Sequence, residues 1–230
     1  MGGALEENLP QRCLDCLVRD KALCGSLGDK QLLDLSLLGR RKVVPKGSVV
    51  TWEGDDNPIC ANIVTGALKL QASTADGREQ TVGLLFSGDF IGEPFEEECT
   101  VTAEALADTD LCIFPRSGFE RVLDDQPQLE RALLERTLKS LREARERQLV
   151  LGRKSARARL AWFLLSLPRG CDGTIDLPIA RQEIADYLGL TIETVSRQFT
   201  DLRSSGVIDA ERGGRRLRVV DVTALQDAAE

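Results

Sequence analysis

An α+β fold is predicted, with a small antiparallel β-barrel or jelly roll, a long helix and a C-terminal winged helix-turn-helix, and three features of the chain predict it. Between Lys42 and Phe114 short β-rich runs alternate with glycine-centred turns. From about Pro127 to Gly152 the sequence is continuously compatible with one helix. From Leu177 onward two short helical segments flank Gly189 and are followed by two short strand-like runs. A length of 230 residues suits two compact units with an appendage.

Taken in order, a polar start leads into a cysteine-bearing segment, Cys13 to Cys24, and Asp29 to Leu38 reads as a helix carrying Leu32, Leu33, Leu35 and Leu38. The β-rich runs are VVPKGSVVTW, ANIVTGALKLQAS, QTVGLLF, CTVTAEAL and DLCIF, punctuated at Gly47, Gly54-Asp55, Gly66, Asp76-Gly77 and Gly88-Asp89. Asp76-Gly77 is a hairpin signal, because such pairs accept the positive φ that tight β-turns need. Pro127 suits the first turn of the long helix. Stepping by three and four from Leu134 gives Thr137, Leu141, Ala144, Gln148 and Leu151. That stripe is apolar but diluted, and reads either as a core-facing side or as a dimer seam of modest strength. The implied bounds are 1–28 for the cysteine segment, 29–117 for the sensor barrel, 118–152 for the dimerisation-helix region and 153–230 for the winged helix-turn-helix.

Composition narrows the function. With 42% hydrophobic and 29% charged residues the chain sits near the globular average, and no apolar run approaches the roughly 18 to 20 residues of a membrane span, so no membrane partner is expected. The acidic stretch Met1 to Leu9 lacks a basic n-region and an apolar h-region, which predicts a cytoplasmic protein. There are seven cysteines and no histidine. In a reducing compartment that combination argues for metal or redox chemistry, and it removes Ser-His and Cys-His pairs and every Cys/His zinc site. An enzyme is therefore not expected.

The net charge of −7 opposes DNA binding until its distribution is considered. Lys139, Arg142, Arg145, Arg147, Arg153, Lys154, Arg157 and Arg159 face only Glu143 and Glu146 in that stretch, and Arg197, Arg203, Arg212, Arg215, Arg216 and Arg218 outnumber Asp201, Asp209 and Glu211. Such asymmetry is the footprint of a sensor joined to a nucleic-acid module, although a charge run is also commonly a solvated face. The run LPIARQEIADYLGLTIETVSRQFTDLRSSGVI divides into a helix near Arg181 to Leu188, a turn at Gly189 and a second helix from about Thr191 to Ser204. In a helix-turn-helix the N-terminal residues of the second helix meet base edges in the major groove, here Thr191, Glu193, Thr194, Ser196 and Arg197. Arg197 suits guanine O6/N7, Glu193 a base amino group and Ser196 phosphate or base, whereas a surface Glu193–Arg197 ion pair would be worth only tenths of a kcal/mol. The tail VIDAERGGRRLRVVD forms a wing whose arginines, Arg215 among them, contact phosphate.

Cys13-x2-Cys16 is a chelating spacing shared by zinc knuckles, iron–sulfur proteins and dithiol redox sites, and Cys24 extends it to three. A fourth ligand must come from elsewhere, with Cys60, Cys99 and Cys112 available. Zinc and a 4Fe-4S cluster both accept four thiolates. A dithiol oxidoreductase is the remaining reading, disfavoured because no βαβ context surrounds the motif.

Taken together, Glu193-Thr194-Val195-Ser196-Arg197 preceded by Ala185-Asp186-Tyr187-Leu188-Gly189-Leu190-Thr191, the barrel run Gly88-Asp89-Phe90-Ile91-Gly92, and Cys13-x2-Cys16-x7-Cys24 give the chain a specific likeness. It resembles the CRP/FNR superfamily over nearly its whole length, and within it the oxygen-responsive FNR type of the FnrL/FnrN-like branch. The resemblance implies that the barrel is cyclic-nucleotide-binding-like and that an oxygen-labile 4Fe-4S cluster is held by Cys13, Cys16, Cys24 and Cys112. Cys60, Cys99 and Cys171 are then small buried residues. It further implies that the intact cluster promotes a homodimer, that the dimer binds a palindromic TTGAT-N4-ATCAA-like operator, and that it activates anaerobic genes with RNA polymerase as partner. Gly92-Glu93 is retained, but Cys99-Thr100-Val101 stands where cyclic-AMP-binding relatives carry an arginine motif, so no cyclic nucleotide is expected. The alternative within the same fold is a cluster-free regulator that senses redox state through a Cys13/Cys16 disulfide.

Overall fold

The computed structural model describes residues 9–170, 172–210 and 216–230. The chain forms two compact units, residues 1–139 and 140–230, so the predicted 118–152 region is shared between them.

In the first unit the cysteine segment holds a one-turn helix α1 (Gln11–Leu14) and a 3-10 turn (Leu23–Ser26), followed by α2 (Asp29–Leu38), whose limits coincide with the predicted ones. Eight strands follow: β1 (Arg40–Val44), β2 (Val49–Thr51), β3 (Ile59–Thr65), β4 (Ala67–Ser73), β5 (Glu79–Phe86), β6 (Phe90–Ile91), β7 (Thr102–Ala105) and β8 (Thr109–Pro115). They form two antiparallel sheets, β1-β8-β3-β6 and β2-β7-β4-β5, a jelly-roll-like sandwich in place of the closed barrel that was one of the two readings. Alternating residues of the two sheets (Val44, Ala61, Ile63, Leu68, Ala105, Leu111 and Ile113) are buried together between them. The Asp76-Gly77 turn joins β4 to β5 as predicted, with Gly77 at φ +81° and Ser73 paired to Glu79.

A second core lies at the end of the sandwich, where α3 (Arg116–Asp125) and the first turns of α4 (Pro127–Arg153) pack. Leu23, Leu35, Cys60, Phe114, Phe119, Leu123 and Leu129 are buried there, with Cys24, Phe90 and Cys112 half-buried at its margin. The Phe119 ring lies 5.2 Å from Phe90 and 5.8 Å from Phe114, centroid to centroid. This core attaches the cysteine segment to both β8 and α4.

The second unit contains the rest of α4, α5 (Ala156–Ser166), β9 (Thr174–Asp176), α6 (Arg181–Leu188), α7 (Ile192–Ser204), β10 (Ile208–Ala210), β11 (Arg216–Val219) and α8 (Val222–Ala228). Helix α5, strand β9 and helix α8 were not anticipated; β9 adds a third strand to the wing in the order β10-β11-β9. Leu160, Leu164, Ile184, Leu188, Val195, Leu202, Leu217 and Leu225 are buried in this unit.

Because Phe119 is fully buried, Phe119→Ala is expected to destabilise the sensor unit by about 3 to 5 kcal/mol through lost burial and a cavity. Urea unfolding followed by circular dichroism measures this; an unchanged midpoint would contradict the packing described.

Candidate functional site

Two sites emerge, one per unit. In the second, Gly189 ends α6 in the left-handed conformation (φ 59°, ψ 44°) and Leu190 N–H donates to Ala185 O, turning the chain into α7. The Thr191 hydroxyl caps α7 by accepting from Thr194 N–H at 3.3 Å. Val195, Phe199 and Leu202 point into the core, which leaves Thr191, Glu193, Ser196 and Arg197 exposed and Thr194 half-exposed on the opposite side. The helix N-terminus holds the Glu193 carboxyl below its ordinary pKa, chiefly through backbone hydrogen bonding and then through Thr191. Among the described residues Arg197 is engaged in no ion pair, so its guanidinium is available. Arg181 is half-buried with its guanidinium carbon 3.0 Å from the Phe199 ring centroid, and burial lowers its pKa to about 10.

Several members of the basic run at the start of this unit are engaged within it. Arg159 donates to Leu151 O (2.7 Å), Lys154 O (3.0 Å) and Leu188 O (3.1 Å), closing the end of α4 onto the helix-turn-helix turn. Arg147 donates to the Tyr187 hydroxyl at 3.2 Å and lies over its ring, and Lys154 donates to Ala229 O. In the wing, Arg216 pairs with Asp176 and Arg218 with Asp209. Arg215 lies outside the described residues, as does Cys171.

On α4, Leu134, Thr137, Leu141 and Gln148 of the predicted stripe are exposed, while Ala144 and Leu151 are half-buried. The predicted stripe left out Leu138, which is exposed one turn from Leu134 and from Leu141, and Leu149, which is exposed further along α4.

In the first unit Cys112 sits mid-strand on β8, paired with Arg41 of β1 on one side and with Asn62 of β3 on the other. Cys16 and Cys112 both pack against buried Val18, Ala22 and Val64, and Asn62 Nδ2 lies 3.6 Å from Cys24 Sγ. Gly39 keeps this space open, since a Cβ there would stand 3.4 Å from Cys112 Sγ and 2.8 Å from the Phe114 ring. The four thiols sense one another. Burial, then repulsion from Cys112, Cys13 and Cys16, pushes Cys24 up to about 12. Burial, then Cys13, pushes Cys112 up to about 11 against the pull of Arg41 and Arg12. Cys13 is raised by burial and eased by Arg12.

Arg12 and Arg41, which the sequence does not single out, are the cations that act on both Cys13 and Cys112. Arg12 is held by Ser36 O (2.5 Å) and Gly39 O (3.0 Å), and Arg41 by Asp110. Cys60 and Cys99 are buried elsewhere: Cys60 is pushed to about 12 by burial, and Cys99 donates toward Asp56 O. Among the described residues no three Cys, Asp or Glu side chains are placed to hold a metal ion directly. The donor set offered here is all sulfur, with Cys16 and Cys112 on one apolar wall and Arg12 and Arg41 beside the thiols. In the loop after β6, Glu93 is taken internally, accepting from Thr100 N–H (2.9 Å) and the Thr100 hydroxyl (2.5 Å).

Comparison with known proteins matches a domain family to each unit. Residues 41–126 match the cyclic nucleotide-binding domain and residues 158–228 the Crp-like helix-turn-helix domain. The transcriptional activator FnrL of Cereibacter sphaeroides is 39% identical over 95% of this chain and 92% of its own length. The chain belongs to the CRP/FNR family. The nitrogen fixation regulation protein FixK of Bradyrhizobium diazoefficiens is 38% identical over 88% of each protein. The solved structure of FixK2 from Bradyrhizobium japonicum superposes with a TM-score of 0.77, at 31% identity over 84% of this chain and 98% of that one. This CRP/FNR-family member is accordingly a DNA-binding transcription activator and not an enzyme. No helix among the described residues is long and apolar enough to cross a membrane.

Two outcomes are expected. Arg197→Ala should lose roughly 1 to 3 kcal/mol of operator affinity and relax preference at one base position per half-site; unchanged preference across single-substituted operators would remove Arg197 from base reading. In the iron-free chain, the raised folded pKa values of Cys24 and Cys112 contribute stability that is intact below their ordinary 9.0 and lost as pH rises toward 11 to 12. A urea midpoint that holds steady from pH 9 to 11.5 would show these thiols to be unburied.

Proposed function

We propose that this chain is an oxygen-responsive regulator in which Cys13, Cys16, Cys24 and Cys112 hold a 4Fe-4S cluster. The observation that supports the reading is that Cys13, Cys16 and Cys24 lie near enough to Cys112 of β8 to act on one another's charge, in a chain with no histidine. Metal binding to such thiols releases protons, so their raised pKa values make assembly less favourable as pH falls. When bound, the cluster supplies an oxygen-reactive cross-link among four thiolates; the chain's own residues do the rest. Arg12 and Arg41 offset the negative charge of the ionised thiolates, Val18, Ala22 and Val64 keep water from their inner side, and Asn62 donates toward Cys24.

The exposed Leu134, Leu138 and Leu141 on α4 support a homodimer seam. A two-fold operator of the TTGAT-N4-ATCAA type needs two copies of α7 about one DNA turn apart, so a monomer forfeits most of its affinity. Shifting a chain from mostly monomer to mostly dimer requires on the order of 5 kcal/mol of differential stabilisation, which in this reading comes from cross-linking the cysteine segment to β8. The dimer acts in the cytoplasm with RNA polymerase as partner, and the internal engagement of Glu93 supports regulation without a cyclic nucleotide.

Purification without oxygen is expected to give a brown protein with iron and sulfide in equal amounts, dimeric in sedimentation and monomeric after air exposure. Cys13→Ser, Cys16→Ser, Cys24→Ser and Cys112→Ser should each lose the iron, with Cys60→Ser and Cys99→Ser retaining it. A colourless protein whose operator binding responds to a Cys13/Cys16 disulfide would establish the cluster-free reading instead. A dimer that persists at micromolar concentration after complete iron loss would sink the dimerisation mechanism.

A further inference from the structure

Arg136, on the outer third turn of α4, is the point where the cysteine segment, the sandwich and the long helix meet. One guanidinium nitrogen donates to Gly88 O at 2.8 Å and the other to Lys21 O. Gly88 belongs to the turn before β6, which is pinned to β3 by Gly88 N–H to Ile63 O (2.8 Å) and Ile63 N–H to Asp89 O (2.9 Å). Lys21 lies three residues before Cys24, and its Cβ packs 3.3 Å from where a side chain on Gly88 would begin. Arg136 is half-buried, and burial lowers its pKa while the Asp89 carboxylate and the Cys24 thiol draw the other way. Residues 137–143 of α4 are all exposed, so within the sensor unit Arg136 is the last partly buried residue of the helix.

We propose that Arg136 is the positioning residue through which the cysteine segment controls the long helix: a latch that holds the α4 backbone against the sandwich only while the Lys21 carbonyl is in place. This rests on the iron–sulfur reading for its trigger, not for its geometry. With Cys24 tethered to Cys112, Lys21 O and Gly88 O stay one guanidinium apart and both are satisfied. Once the tether goes, the segment carrying Lys21 is free to withdraw. Arg136 then loses one of its two carbonyl partners and keeps Gly88 O with the nearby Asp89 carboxylate, which weakens its hold on the cysteine-segment side and favours loosening of α4 beyond Leu133. A packing role would depend on the aliphatic stem alone, whereas a latch depends on two donors.

The test compares the full-length chain with Arg136→Met, which keeps the stem, and Arg136→Lys, which keeps the charge but not the fork. Each is reconstituted without oxygen from ferrous iron and sulfide, and iron per chain, sedimentation and amide exchange are measured. Arg136→Met should bind as much iron as the unsubstituted chain, yet its dimer should dissociate at about tenfold lower dilution, within the usual range of coupling between sites. Its amides at 127–139 should exchange faster, and losing iron should change them no further. Arg136→Lys should fall between. Dimerisation and exchange equal to the unsubstituted chain would overturn the latch, and so would loss of iron in Arg136→Met, because Arg136 would then serve ligation. If the unsubstituted chain takes up no iron, the iron–sulfur reading fails by itself. The latch is then decided on the iron-free proteins, where equal exchange at 16–26 and 127–139 in Arg136→Met and the unsubstituted chain refutes it.

Discussion

Burial of a small group of large side chains at one end of the sandwich organises the regulatory half of this protein. Leu23, Leu35, Phe114, Phe119 and Leu129 come from the cysteine segment, α2, β8, α3 and α4, and all are almost completely removed from solvent. Each such side chain gains roughly 1.5 to 3 kcal/mol from leaving water, enough to draw together stretches of chain that are far apart in sequence. Cys24 follows Leu23 directly, and Cys112 precedes Phe114 by two positions on the same face of β8, so the thiols are brought close by the apolar residues beside them. Cys24 and Cys112 thus lie where the core also grips the first turns of α4.

The polar contacts around that core have a consistent direction. Arg12 reaches the last turn of α2, Arg41 pairs with Asp110, and Arg136 spans Lys21 and Gly88. Arg12 joins the cysteine segment to α2, Arg41 joins two strands of the sandwich, and Arg136 joins α4 to both the cysteine segment and the turn before β6, each through groups that water could also satisfy. A rigid apolar core surrounded by exchangeable clamps suits a switch. The core keeps the parts in reach, and the clamps decide whether they engage.

The DNA-reading unit divides its labour in the same way. The buried row Val195, Phe199 and Leu202 aims the other face of α7 outward, and the cap at Thr191 places Glu193 at the helix start. Arg147, Lys154 and Arg159, which a charge count assigns to phosphate, are engaged inside the unit, where a guanidinium closes carbonyls at the ends of two helices. Net charge along a sequence therefore overstates the basic surface.

Local rules were enough for much of this molecule. The limits of α2, α6 and α4, the Gly189 turn, the Thr191 cap and the Asp76-Gly77 hairpin follow from periodicity, capping and positive-φ chemistry within a few residues of each site. The amphipathic pattern of α7 also sorted its residues correctly into core and exposed faces. What no local rule could supply was anything decided by strand pairing or by packing between distant elements: two sheets in place of a closed barrel, the third wing strand β9, Arg41 beside Cys112 through the β1–β8 register, and the Arg136 contacts across the Lys21 and Gly88 carbonyls. Those depend on which residues, far apart in the chain, become neighbours when apolar surface is buried, and a one-dimensional pattern of hydrophobicity and charge does not contain that pairing.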